Sequence, residues 1–400
     1  MIFKKDEITH LKLFYLRTAI DSSSAVVWIY WIVYLLDQGF SYSIIGLALA
    51  LNGLSMTIFE VPTGALADAT SRKKSVILGE IGFALIVLII PSIHNPFLLT
   101  GVFILWGFPI SLTSGAIEAW VVDNLQYEQR EDLIQEFYVK MMSIRSVGFI
   151  IASILSGVIV HVAGMDMLWY VYGSVLLGSV VLLVKQDEHH EKKSVQFREN
   201  FLETYKNIKN GAQFTLKTKS VFYLMIASFF ITIGFEIVLI CSKPYLEFMG
   251  FPREYLGYLS AIGAALSVGM PFIARYGTTL FRKTQTYFSL HATIFSIILI
   301  SVFFTRNPFL VAFIFVALTL RDTSLSPVID PFFQKLIPTP LRATIGSFRN
   351  MVLSAAILVG DFVIALMGDV AGPHLMLVFG GFIILPSIMF YMGITEKQDR

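Results

Sequence analysis

Twelve long apolar stretches, each close to the length needed to cross a bilayer, constrain this chain more than any other feature. A spanning helix needs about 20 mostly apolar residues. Runs of that kind fall near 13–36, 42–67, 75–92, 97–125, 134–161 and 167–184, and again near 218–246, 254–280, 285–304, 308–336, 343–369 and 373–393. A polar stretch at 185–217, rich in Lys and Glu, separates the two sets. The expected fold class is an all-α membrane protein of twelve transmembrane helices in two pseudo-symmetric six-helix bundles, 1–184 and 218–400, joined by a linker at 185–217. Composition points the same way. The chain is 56% hydrophobic and 14% charged, against about 25% charged for a soluble domain. Too little polar surface remains to cover one globular core of 400 residues, so lipid must solvate much of the outside.

Loop charge sets the expected orientation. With both termini cytoplasmic, the inner segments hold twenty-one Lys and Arg, and the outer loops hold three, Lys243, Arg253 and Arg306. The asymmetry puts the N terminus, the C terminus and the linker inside, in a multi-pass protein of the cell membrane. Met1 to Lys12 is charged and the apolar run after it is long, which reads as an uncleaved insertion signal. The single cysteine, Cys241, rules out an intramolecular disulfide. A net charge of +2 gives no footprint for nucleic acid.

The two halves carry a weak repeat, as a fold built from internal repeats should. LLDQGFSYSIIG (35–46) lies over LEFMGFPREYLG (246–257) at an offset of 211, so Gly39, Phe40 and Gly46 match Gly250, Phe251 and Gly257. AIEAW (116–120) lies over VIDPF (328–332), with Glu118 opposite Asp330. Arg145 and Arg349 follow at comparable depths in the next helices.

Between the second and third runs stands EVPTGALADATSRKKSV (60–76). Here the chain resembles the major facilitator superfamily, whose signature in this loop is Gly, then Asp four residues on, then basic residues. Gly64, Asp68, Arg72 and Lys73 match it position by position. The resemblance implies the superfamily's twelve-helix fold, a transport function, and a role for this loop as a latch on the outward-facing state. By depth, Asp123 sits near the inner surface, where it can meet Arg72. Gly64 is expected to let backbones approach closely. The second-half loop RYGTTLFRKT (275–284) keeps Arg282 and Lys283 but has no acid. TSGAIEAWVVD (113–123) resembles the matching helix of drug:proton antiporters of the DHA3 type, while SVGFIIASILSG (146–157) lacks the proline of that branch's fifth helix.

Charges at bilayer depth are costly, from about 2.5 kcal/mol each on insertion scales, and therefore mark function or structural pairing. They are Arg17, Asp21, Glu60, Glu118, Asp123, Arg145, Glu236, Arg275, Arg321, Asp322, Asp330, Arg349 and Asp361. Hairpin spacing predicts the pairs Glu118–Arg145 and Asp330–Arg349, and i, i+4 spacing predicts Arg17–Asp21. For substrate or proton binding the candidates are Arg17, Asp21, Glu118, Arg145, Glu236, Asp330 and Arg349, with Asp21, Glu118 and Asp330 as the acids that switch between paired and unpaired states. Structural pairing within the membrane is the competing reading for each. Trp28, Tyr30, Trp31 and Tyr34 read as lipid-facing or interfacial, with partial lining of a cavity as the alternative.

No GxxxxGK[ST] phosphate cradle, no Ser/His/Asp arrangement and no metal-ligand spacing is present. Hence no enzyme activity, cofactor or metal is expected; the partners are a small-molecule substrate, protons and lipid, and the chain is expected to act as a monomer. The leading expectation is proton-coupled efflux of small amphipathic molecules by alternating access, as an antiporter. The alternatives are an importer or facilitator of a small organic anion or metabolite, and a non-transporting receptor of the same fold. Reporter fusions test the orientation: a reporter active only in the cytoplasm is expected to work when inserted at 185–217 or appended after Arg400, and to be silent at Arg306.

Overall fold

The computed structural model describes residues 3–189 and 197–395, without side chains for 197–205. Lys192, Lys193, Lys397 and Arg400, which count towards the loop-charge asymmetry, lie outside the described residues. Among the described residues, eleven helices are long and apolar enough to cross a membrane. They are α1 (Glu7–Asp37), α2 (Tyr42–Ala69), α3 (Arg72–Ser92), α4 (Pro96–Tyr127), α5 (Glu131–Ala163), α6 (Asp166–Lys185), α7 (Lys219–Phe248), α8 (Tyr255–Thr279), α9 (Thr284–Phe304) and α10 (Pro308–Lys335), followed by Thr339–Met392. The last of these is 54 residues long and turns at Gly372, whose φ is +69°. It therefore supplies two spans, α11 (339–371) and α12 (373–392), and the total is twelve. A further helix, Phe197–Lys217, fills part of the linker.

The repeat is written into the helix ends. α1 ends with Gly39 at φ +87° and α7 with Gly250 at φ +82°, a left-handed backbone that glycine adopts without steric cost. In the first, the Gly39 amide donates to the Leu36 carbonyl and the Phe40 amide to that of Leu35; in the second, Gly250 donates to Glu247 and Phe251 to Leu246. These are the paired bonds of a Schellman stop signal, repeated 211 residues apart. Likewise α4 and α10 both start at an Asn-Pro pair. Asn95 accepts from the amides of Phe97 and Leu98, and Asn307 from those of Phe309 and Leu310. The asparagine satisfies orphan amides and the proline needs none, so each pair is a strong start signal.

The described residues form two compact packing units. One gathers 1–34, 51–200 and 253–261, the other 35–50, 201–252 and 262–400. Within each unit a short stretch from one sequence half packs on a helix of the other half. In the first, Gly257 of α8 lies against α5, where an added Cβ would fall 2.5 Å from the Ser153 carbonyl and 2.7 Å from the Gly157 amide. In the second, Gly46 of α2 lies against α11, 2.6 Å from the Asp361 carbonyl and the Ala365 amide. Gly46 and Gly257 are the repeat partners named above, so the duplicated sequence makes a duplicated helix crossing. Only a residue without a Cβ permits such approach.

Three expectations need correction. α1 begins at Glu7, inside the segment read as a charged lead-in, and breaks near Ala25. Glu7 is fully buried, accepting from Tyr15 Oη at 2.8 Å and Lys140 Nζ at 2.6 Å; these donors compensate its charge and draw the chain into the bundle. Tyr30 and Tyr34 are not interfacial. Both are fully buried, because their hydroxyls find protein partners: Tyr30 donates to the Arg253 carbonyl at 3.0 Å and accepts from the Gly257 amide at 3.0 Å, and Tyr34 donates to Asp166 at 2.7 Å. Gly64 has open space where a Cβ would go; it faces outward, so its role as a close-approach glycine falls away.

The crossings give a direct test. Gly46→Val and Gly257→Val are each expected to destabilise the packed protein by about 1–3 kcal/mol through overpacking, seen as a lower thermal midpoint in detergent. Gly53→Val, where a Cβ meets nothing within 4 Å, is expected to leave the midpoint close to that of the parent.

Candidate functional site

Besides the break of α1 near Ala25, two interruptions fall in the spans that carry Glu118 and Asp330. α4 breaks at Ser114 and Gly115 (φ +69°) and restarts at Ala116. α10 breaks at Leu320 and restarts at Arg321. Interrupted spans at corresponding places in two halves are where transporters put charged groups, because freed backbone dipoles and polar side chains are tolerated only beside one another or water. Glu118 lies in the first turn after the α4 break, at the end where a helix dipole favours an acid.

Each predicted pair forms. Arg145 Nη2 lies 3.5 Å from Glu118 Oε1, and Arg349 Nη2 lies 2.8 Å from Asp330 Oδ1. Both pairs are accessible: side-chain exposure is 52% at Arg145 and 50% at Asp330. Arg349 also stacks its guanidinium 4.8 Å from the Phe333 ring. In α1, Arg17 stands 3.8 Å from Asp21, but its closer partner is Glu80 of α3, which accepts directly from Nη2. Arg17 and Glu80 are 6% and 5% exposed. Glu80 escaped the sequence reading; a lone acid between Gly79 and Gly82 in an otherwise apolar run was the available signal. Beside this pair lies an aromatic cluster from four helices, with Trp28, Phe83, Phe103, Trp106 and Tyr172 at centroid spacings from 5.0 to 6.5 Å.

In the other unit, Glu236 of α7 and Asp361 of α11 come together where Gly360 packs against the Glu236 side chain; a Cβ at Gly360 would be 2.8 Å from Glu236 Cβ. Arg321 bonds the neighbouring Asp322 and covers the Phe235 ring at 4.1 Å. His291 Nε2 shares a 2.8 Å hydrogen bond with Ser324 Oγ. Of this group, only Glu236 stood among the sequence candidates for binding.

The loop between α2 and α3 is a knot of charge. Arg72 bridges Asp68 at 3.1 Å and Asp123 at 2.8 Å. The start of the linker joins in, which the sequence did not suggest. Glu188 accepts from Ser71 Oγ at 2.5 Å and from the Lys73 amide at 2.9 Å, at the N-terminal turn of α3. Lys73 Nζ donates to the carbonyls of Val184 and Gln186, at 2.8 and 2.6 Å. The Trp120 indole and the Asn124 amide both donate to the Asp187 carbonyl. α2, α3, α4 and the α6 end are thereby tied at one point.

Comparison with known proteins decides the family. The sequence profile of the Major Facilitator Superfamily matches residues 13–361. The chain belongs to that superfamily. An uncharacterized MFS-type transporter of Bacillus subtilis (strain 168), YxaM, is 23% identical over 386 residues, covering 92% of each chain. An uncharacterized transporter of Buchnera aphidicola, BU466, is 28% identical over 236 residues, covering 56% of this chain and 55% of that one. Among solved structures, the nucleoside transporter NupG superposes with a TM-score of 0.75 at 14% identity over 98% of this chain and 99% of that one. A D-xylose–proton symporter gives 0.65 at 12% identity over 96% and 98%. These structures share the fold. The protein is a multi-pass membrane transporter of the superfamily.

The buried Arg17–Glu80 pair yields a double-mutant test. Glu80→Ala leaves the buried guanidinium with only the more distant Asp21, at 3.8 Å, and is expected to cost up to about 3–5 kcal/mol. Arg17→Met combined with Glu80→Leu removes both charges and is expected to recover most of that loss, read by thermal unfolding of the purified proteins.

Proposed function

We propose that the protein is a proton-linked exporter of small amphipathic molecules, neutral or cationic, working by alternating access in the cell membrane with both termini cytoplasmic. The charge balance of the spans is the observation that carries this reading. Arg17, Arg145, Arg321 and Arg349 each face a carboxylate. None of these four offers an unengaged guanidinium to an organic anion, the group best suited to hold one. Acids outnumber arginines in the spans of the second half, where Glu236, Asp322, Asp330 and Asp361 stand against Arg275, Arg321 and Arg349. Glu118, in the first turn after the α4 break, and Asp330, between Pro327 and Pro331 of α10, remain accessible, so a proton or a cation can compete with the arginine for each. The aromatic cluster beside Arg17 suits an apolar cargo. Export is favoured by the likeness of TSGAIEAWVVD to drug:proton antiporters. The α2–α3 knot serves as the latch that alternation makes and breaks.

A second reading, import of a small polar metabolite, has one specific support: the solved proteins of the same fold include a nucleoside transporter and a D-xylose–proton symporter.

Reconstitution into liposomes with an imposed pH gradient separates these readings. Lipophilic cationic dyes are expected to move with the gradient while small carboxylates stay. Glu118→Gln is expected to slow coupled flux by about tenfold or more, equivalent to at least one pKa unit of lost interaction. If no compound moves and no proton flux appears, the proton-linked reading fails. Flux of anions abolished equally by Arg145→Ala and Arg349→Ala moves the assignment to import.

A further inference from the structure

The duplicated helix crossing contains one difference that the repeat does not explain. Where α8 crosses α5, Gly257 rests on the backbone of Ser153 and Gly157; where α2 crosses α11, Gly46 rests on that of Asp361 and Ala365. Ser153 and Asp361 are 208 residues apart, as are Gly157 and Ala365. Asp361 therefore occupies the place of a serine. Ser153 is fully buried and neutral. Asp361 is 4% exposed, and its Oδ1 is buried without a hydrogen-bond partner among the described residues.

The groups around it do not compensate a charge. From α7, Glu236 faces Asp361 and brings a second acid. Arg321 of α10 acts on Glu236 and is bonded to Asp322. From α9, His291 is engaged with Ser324, and from α2, Tyr42 packs at Gly368, further along α11. An ionised Asp361 would stand beside another carboxylate, at the position of α11 whose backbone carries the crossing with α2, with no cation to offset it. A protonated one is a small neutral group, like the serine it replaces. The site lacks the ring of oxygen ligands that a metal cation takes.

We propose that Asp361 is a proton carrier that senses the α2–α11 crossing: its carboxyl holds a proton while α2 is packed on α11, and gives that proton to water when the crossing parts. The carboxyl O–H bond breaks, the electron pair stays on Asp361, and the proton leaves to the aqueous side that the parted crossing faces. The proposal deepens the proton-linked reading and rests on it. Linkage fixes the sign: acid favours the packed crossing and alkali favours its parting.

Infrared spectra of the full-length protein in lipid, taken in neutral and alkaline buffer, test the proton directly. A protonated-carboxyl band is expected at neutral pH, lost in Asp361→Asn and kept in Glu236→Gln. The crossing is read through Cys241, the chain's lone thiol, fully buried on α7 near Tyr42 of α2. In alkaline buffer, where thiol ionisation speeds labelling in both proteins, the labelling rate is expected to be about tenfold slower in Asp361→Asn than in the parent. Absence of the band from the parent at neutral pH, or its survival in Asp361→Asn, overturns the proposal. Should Asp361→Asn fail to fold, loss of the band in Glu236→Gln overturns it instead. A band at Asp361 in a protein that carries no solute keeps the proton site and removes the transport reading; proton-linked flux whose pH dependence survives Asp361→Asn does the reverse.

Discussion

Charge buried among lipid-spanning helices has to be answered by another group of the protein, and this requirement organises the molecule. Water is not available to solvate an ion at that depth, so each ion finds a partner, takes or loses a proton, or moves to an edge. Glu7 draws Lys140 and Tyr15 to itself and pins the start of α1. Glu80 joins α3 to α1 through Arg17. Asp330 joins α10 to α11 through Arg349. At the end of the bundle that bears the basic loops, Arg72 ties Asp68 to Asp123, and Glu188 extends the knot into the linker. Close van der Waals packing holds the helices together within lipid; the ion pairs specify which faces meet.

Against that background of pairing, differences between the halves stand out. Duplication has kept the Schellman stops at Gly39 and Gly250, the Asn-Pro starts of α4 and α10, and the glycine crossings at Gly46 and Gly257. These features satisfy the backbone, which has the same needs in each half. The side chains inside have diverged: Ser153 against Asp361 at one crossing, and an acid in the first basic loop but none in the second. Backbone needs are conserved between the halves, and divergence in the buried polar groups is where a carrier acquires its chemistry.

Much of this was legible in the sequence. The pairs Glu118–Arg145 and Asp330–Arg349 follow from hairpin arithmetic, because residues equally far from a tight loop return to the same depth. Arg17 shows where the arithmetic stops. Spacing pointed to Asp21 on the same helix, and the dominant partner is Glu80, on a helix that is not its neighbour in sequence. Gly64 belongs to a recognised motif and yet touches nothing, while Gly46, marked only as a repeat match, makes the close approach. Tyr30 and Tyr34 look like interfacial aromatics until hydroxyl partners from Arg253, Gly257 and Asp166 are supplied by distant segments.

The sequence by itself determined the twelve spans, the two-fold repeat, the glycine stops at Gly39 and Gly250, and the superfamily loop. All of these rest on local rules, in which a run of apolar residues, a cap or a glycine acts within a few positions of itself. Only the tertiary structure decided which buried charges are answered and which are left alone. That outcome depends on how each helix is rotated about its axis, by about 100° for every residue, and on which non-adjacent helix it meets. Glu80 and Asp361 are both single acids in apolar helices. Packing gives the first an arginine and the second a glutamate, and that difference separates a structural pair from a candidate proton site.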